Sequence, residues 1–141
     1  MHRFRPLIIA AGLALLAPAA ASAQSGLVGR SIRLAPIELS AGKPLAEAPY
    51  ELETGKYYRL PIRSDGSQEM ALAGAEFFRN VWINEVVINR IEIRPLGLDS
   101  IEFDAEGEAT ITFVPIRPGR FELRIPGTTA PSQRVVFEVK G

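Results

Sequence analysis

The sequence predicts an all-β domain, a Greek-key β-sandwich of about seven or eight short strands. Three observations lead there. Apolar residues recur with a period of two rather than that of a helix, the alternating runs are short, and clusters of Gly, Pro, Asp or Ser separate them at roughly ten-residue spacing.

At the N-terminus, Arg3 and Arg5 precede an apolar run from Leu7 to Leu16 and an Ala21-Ser22-Ala23 triplet. That order of charge, apolar core and small residues is a secretory signal peptide over residues 1–23, followed by one domain over residues 24–141. The apolar run is about half the roughly 20 residues that span a bilayer, and no later segment is long and uncharged, so no membrane insertion is expected after signal removal. The short Ala-rich signal points to the periplasm. Removing it takes away His2, the single His, from a chain that has no Cys. Met70 is then the one remaining Met. Taking Arg3 and Arg5 from 16 basic side chains leaves 14 against 16 acidic ones, which gives no reason to expect nucleic acid or an anionic membrane as partner. A Cys-free exported domain depends on a packed core, which a chain of this length supplies.

In chain order, Ile32 and Leu34 share one parity and Ile37 and Leu39 the other, with Pro36 between them. An edge strand that bulges or changes sheet accounts for the switch. Tyr50 and Leu52 lead to a turn at Thr54-Gly55, after which Tyr58, Leu60 and Ile62 face one way and Arg59 and Arg63 the other. Ser64-Asp65-Gly66-Ser67 ends that strand with four turn-forming residues. Ile101 and Phe103 alternate with Glu102 and Asp104, and the chain reverses at Asp104-Ala105-Glu106-Gly107. Ala109, Ile111 and Phe113 then share a face; after Pro115, Pro118 and Gly119, so do Phe121, Leu123 and Ile125, and finally Val135, Phe137 and Val139. The stretch from Met70 to Arg94 is less regular. Phe78 and Trp82 are four apart, which predicts a short helix or loop near residues 75–82, whereas the β-branched run Val86, Val87, Ile88, Ile91 and Ile93 predicts a strand over about 86–94.

The run from Asp99 to Ile125, with its Gly107-Glu108 turn, Pro118-Gly119 turn and Arg117-Pro-Gly-Arg-Phe-Glu-Leu-Arg-Ile125 segment, resembles the central hairpin strands of the cupredoxin family. Pro49 to Gly66 is similar to the preceding family segment. The resemblance implies a cupredoxin-like sandwich, and in copper-bearing members a type 1 site of two His, one Cys and an axial Met. Carried over by position, the first His falls near Glu69 or Met70, the Cys at or beside Ile125, and the remaining ligands in residues 126–132, where no His, Cys or Met occurs. The chain reads as a copper-ligand-deficient member of that family.

Without His or Cys after the signal, ordinary catalytic triads cannot be assembled, and no enzymatic activity is expected. Ser40-Ala41-Gly42-Lys43 has the Ser-x-x-Lys spacing of penicillin-recognising enzymes, but Gly42 and Pro44 break the helix that pair needs, so it reads as a turn. Asp99, Glu102, Asp104, Glu106 and Glu108 read as a solvated hairpin whose charges protect an edge. Glu69 and Met70 are the candidate metal ligands, for copper or iron. Phe77, Phe78, Arg79 and Trp82 are the candidate partner-binding residues, with the alternative that the aromatics cap one end of the core. Outward Arg120, Arg124 and Arg134 offer a basic stripe for an anionic partner, but alternating Glu122 and Glu138 dilute it, so the face reads as solvated. The leading expectation is an exported binding or accessory module with a periplasmic protein partner and no cofactor, beside a metal-handling or redox system as the resemblance implies. The alternative is a copper or iron carrier or electron-transfer protein built on Glu69 and Met70.

Overall fold

Alternation of apolar and polar side chains produces two facing sheets in the computed structural model, which describes residues 29–141. The strands are β1 (Ile32–Arg33), β2 (Ile37–Leu39), β3 (Tyr50–Glu53), β4 (Tyr58–Ser64), β5 (Met70–Ala73), β6 (Val81–Ile88), β7 (Ile91–Ile93), β8 (Ser100–Phe103), β9 (Gly107–Pro115), β10 (Gly119–Arg124) and β11 (Arg134–Lys140). A short helix α1 (Ala75–Arg79) joins β5 to β6, and a 3₁₀ turn at Pro131–Gln133 precedes β11. One sheet runs β1-β4-β9-β6-β7, with β2 also on the β4 edge; the other runs β3-β11-β10-β5-β8. Successive strands cross repeatedly between the sheets, as in Greek-key sandwiches. The signal peptide expected over residues 1–23 lies outside the described residues, among which no helix is long and apolar enough to cross a membrane.

Among the described residues eleven strands replace the expected seven or eight, because two expected strands are split and β5 was not foreseen. The first split sits where parity changes. Ile32 pairs with Tyr58 and Ile37 with Ile62, five steps on one strand against four on the other, so one extra residue is bulged out around Pro36 and both halves stay on the same edge. The second split is a hairpin: the strand expected over about 86–94 turns at Asn89 and Arg90 and returns as β7.

The helix expected near residues 75–82 ends at Arg79, where the Asn80 Nδ2 donates to the Glu76 carbonyl at 2.7 Å. The Ile116 N–H then donates to the Asn80 carbonyl at 3.0 Å, and the chain continues as strand from Val81. β-branched residues from Val81 onward favour the ladder over another helical turn. Trp82 is therefore a strand residue.

α1 plugs one end of the sandwich. The Phe77 ring stacks on Phe137 of one sheet with centroids 4.1 Å apart and meets Phe113 of the other edge-on at 5.4 Å. Phe78 packs edge-on against Phe77 at 5.5 Å. Entry to the helix needs Gly74, since a Cβ there would collide with the Glu122 carbonyl and the Leu123 side chain. Ile37, Leu39, Leu60, Ile62, Leu72, Ile111 and Leu123 complete a continuous core.

Candidate interaction face

The packing of α1 and the parity of β6 decide which residues of the aromatic segment are available. Phe77 and Phe78 are 0% and 5% exposed, so of the four partner-binding candidates these two are corrected to core residues, fixed there by the Phe113 and Phe137 rings. Arg79 and Trp82 remain at the surface, Trp82 with 46% exposure. Arg79 pairs with Glu76 at 3.6 Å, both well exposed, a contact worth little in water.

Trp82 lies opposite Val114, and in the next row Ile83 lies opposite Phe113, which in turn faces Tyr58. Continuing that antiparallel register sets Tyr57 beside Val114, so Trp82, Val114 and Tyr57 form one row on the outer face of the six-stranded sheet. Ile116, 56% exposed, extends the row diagonally from Trp82.

A β-bulge holds the row in place. Ile83 pairs with Phe113 and Glu85 with Thr112, leaving Asn84 as the extra residue. Its Nδ2 donates to the Tyr57 hydroxyl at 2.9 Å and lies 3.4 Å from the Thr112 Oγ1, while its Oδ1 accepts from Arg94 Nη1 at 2.9 Å. The Arg94 Nη2 reaches Glu85 at 3.2 Å and Glu92 at 3.3 Å. Thr112 is fully buried by this cover although it points away from the core.

Beside Tyr57 opens a cleft of about 430 Å³ lined by Gly29, Arg30, Ser31, Arg33, Tyr57 and Arg59. Parallel pairing sets Arg33 directly beside Arg59. Among the described residues none of Arg30, Arg33 and Arg59 forms a salt bridge, and all three are exposed. The other sheet differs. Arg120 pairs with Glu138 at 3.3 Å, Arg134 with Glu122 at 3.3 Å, and Arg124 with the same Glu122, so these arginines are neutralised by the two glutamates that interrupt the stripe. Glu122 is held below the usual carboxylate range chiefly by its bond from Arg124.

The two metal candidates diverge. Met70 is 6% exposed and paired with Phe103, its side chain in the core; Glu69 precedes the strand and points to solvent. The pairing of Glu69 with Met70 is thereby corrected: neighbouring residues entering a strand project to opposite faces. Glu69 instead meets Glu102 and Asp104, with carboxylate oxygens within 4.8 Å of one another and all three residues exposed. Solvated acidic groups at an edge strand are common without an ion.

No known protein family and no curated protein matches the sequence. In structure, the chain is similar to a multicopper oxidase with a TM-score of 0.52 and 12% identity, covering 65% of this chain and 32% of that one. It is also similar to the copper nitrite reductase of Nitrosomonas europaea, with a TM-score of 0.52 and 14% identity over 68% and 34% of the two chains. The fold is cupredoxin-like. The chain spans about a third of the length of each of these proteins.

A cupredoxin-like fold raises the question of type 1 copper, and the residues present do not fit it. The stretch after β10 that would carry the Cys and the later ligands contains Ile125, whose N–H donates to the Gln133 carbonyl at 3.0 Å, and then only Pro, Gly, Thr, Ala, Ser and Gln. No soft donor is offered there, and the Met70 sulfur is committed to the core.

Sequence reasoning reached Trp82 and Arg79 but not Tyr57, Asn84, Val114, Arg33 or Arg59 as parts of one face. The parity of Tyr57 and Arg59, opposite to Tyr58 and Leu60, signalled exposure. Their proximity to Trp82 depends on a register between β4, β9 and β6 that no single strand encodes.

Proposed function

We propose that this chain is an exported, periplasmic cupredoxin-like binding module that works without type 1 copper and without catalysis, capturing a protein partner on the outer face of its six-stranded sheet. The observation that carries the proposal is the row Trp82, Val114 and Tyr57 beside Arg30, Arg33 and Arg59, which form no salt bridge among the described residues. Trp, Tyr and Arg are the side chains that dominate interface energetics, because they bring large contact area at modest entropic cost. These exposed cations select for a partner with an acidic rim. The likeness to copper oxidase domains supports a setting beside a metal-handling or redox system. Buried Met70 and the absence of His and Cys after residue 23 argue against the copper or iron carrier.

The test is a photo-reactive side chain placed at Val114 of the full chain in its native host. A discrete adduct is expected at that position, lost with Trp82→Ala or Arg59→Glu and not formed from the same probe at Glu106. Failure to form it, or its persistence with both substitutions, refutes the proposal.

A further inference from the structure

The far end of β6 carries a second unsatisfied feature. Asn89 and Arg90, with φ of 48° and 67°, form a two-residue turn of the type that matches strand twist, and the pair Ile88 and Ile91 closes the ladder. Ladder alternation then directs the N–H and C=O of Ile91 and Ile93 toward β6, and those of Glu92 and Arg94 outward. Among the described residues no strand pairs with that outer edge. Ile88, Ile91 and Ile93 lie on the sheet face that elsewhere covers the core, yet are 37%, 63% and 46% exposed, and Leu96 beyond them is fully exposed. An apolar edge with free backbone groups is a template for another strand.

We propose that β7 is a self-association edge, extended in antiparallel fashion by β7 of a second copy about a two-fold axis at Ile93. This centre sets Ile93 against Ile93 of the second copy as a close, non-hydrogen-bonded pair. It places Glu92 of each copy opposite Arg94 of the other, and these two pairs exchange four backbone hydrogen bonds. Pro95 has its missing N–H on the β6 side, where the second copy requires no donor. Centring on Glu92 would oppose Glu92 to itself and Arg90 to Arg94, like charges at each bonded pair; centring on Arg94 would oppose two guanidinium groups. Charge order thus excludes Glu92 and Arg94 as centres, and the left-handed turn conformation of Asn89 and Arg90 keeps Arg90 out of a ladder and so excludes Ile91, which leaves Ile93. Glu92 and Arg94 are paired within the chain at 3.3 Å but are 60% and 61% exposed, so Glu92 turns to Arg94 of the second copy at little cost while Arg94 keeps its bonds to Asn84 and Glu85. A copy of this chain, rather than an unrelated strand, is selected because the complementary charge order is its own.

The chain contains no Cys, so a thiol introduced by Ile93→Cys is the only one present. In a non-hydrogen-bonded pair the Cα atoms lie about 4.5 Å apart, within disulfide reach. The expected result for the purified full domain with oxidised glutathione is a disulfide-linked dimer from Ile93→Cys and none from Ile91→Cys, whose thiols sit four register steps apart. Adding either Glu92→Arg or Arg94→Glu to the Ile93→Cys protein should slow cross-linking at least about tenfold, and mixing the two charge variants should restore it. Sedimentation of the unmodified protein should show dimer increasing with concentration. Monomer at every concentration reached, equal cross-linking from Ile91→Cys, or indifference to both charge variants would overturn the proposal. Thermal melts of each variant establish that it is folded.

Discussion

Arg94 donates from Nη1 to the Oδ1 of Asn84 at 2.9 Å, and in doing so clamps the one bulged residue of β6 to the outer face of its sheet. Through the other end of its amide, Asn84 orients the Tyr57 hydroxyl and covers Thr112. The Trp82 and Tyr57 row is thus positioned by a polar network and not by the aromatic core.

Asn84→Ala removes donors and acceptor together and leaves the buried Thr112 hydroxyl uncovered. A loss of about 1–3 kcal/mol in urea unfolding is expected, together with weaker partner cross-linking from Val114. Arg79→Ala, which breaks only an exposed pair with Glu76, should stay within about 0.5 kcal/mol.

Phe77→Ala and Trp82→Ala separate core from surface. Phe77 touches the rings of Phe78, Phe113 and Phe137, so its truncation should cost about 3–5 kcal/mol. Trp82→Ala should change stability by less than about 1 kcal/mol while abolishing partner capture. Parallel denaturation and cross-linking of the two variants check this.

Tyr50 confers an alkaline limit. Burial, and secondarily the charge of Glu38, pushes its pKa up to about 12, and its hydroxyl donates to the Ala35 carbonyl at 2.9 Å. The folded state therefore holds the proton more tightly than the unfolded chain, whose tyrosine titrates near 10. This contribution is fully present below pH 10 and is lost as pH rises toward 12. Tyr50→Phe should flatten the fall in stability over that window, read from urea midpoints at successive pH values.

Asp65 sets an acid limit with the opposite sign. Its carboxylate accepts from the Ser40 hydroxyl at 2.6 Å and from the Ser67 N–H at 2.9 Å, and its pKa is lowered to about 2, first by the Ser40 bond and then by those from Ser67. The stabilisation is present above the unfolded value near 4 and disappears as pH falls through about 2. Asp65→Asn should lessen the acid-linked loss across that range.

Parity made most of the sandwich legible. Tyr58, Leu60 and Ile62, and likewise Ala109, Ile111 and Phe113, face the core as their alternation requires. The parity change around Pro36 announced a bulge or a change of sheet, and the pairing of both halves with β4 decides for the bulge. The spacing of Phe78 and Trp82 misled because four residues match a helical turn as readily as a helix end followed by a strand, and only the pairing of Trp82 with Val114 decides between them. Glu69 and Met70 were brought together by the family resemblance, which sets the first ligand position near both, yet adjacent residues entering a strand part company across the sheet. Cross-strand neighbours such as Tyr57 with Asn84, or Glu69 with Glu102 and Asp104, belong to register, which long-range packing determines.

Metal content of the purified domain, after exposure to copper(I), copper(II) and iron in turn and then desalting, tests the central claim most directly. A cupredoxin-like module whose Met70 is packed against the core and whose chain after residue 23 has no His or Cys should retain no stoichiometric metal. One metal ion retained per chain, and released by Met70→Ala or Glu69→Ala in a folded protein, would contradict it.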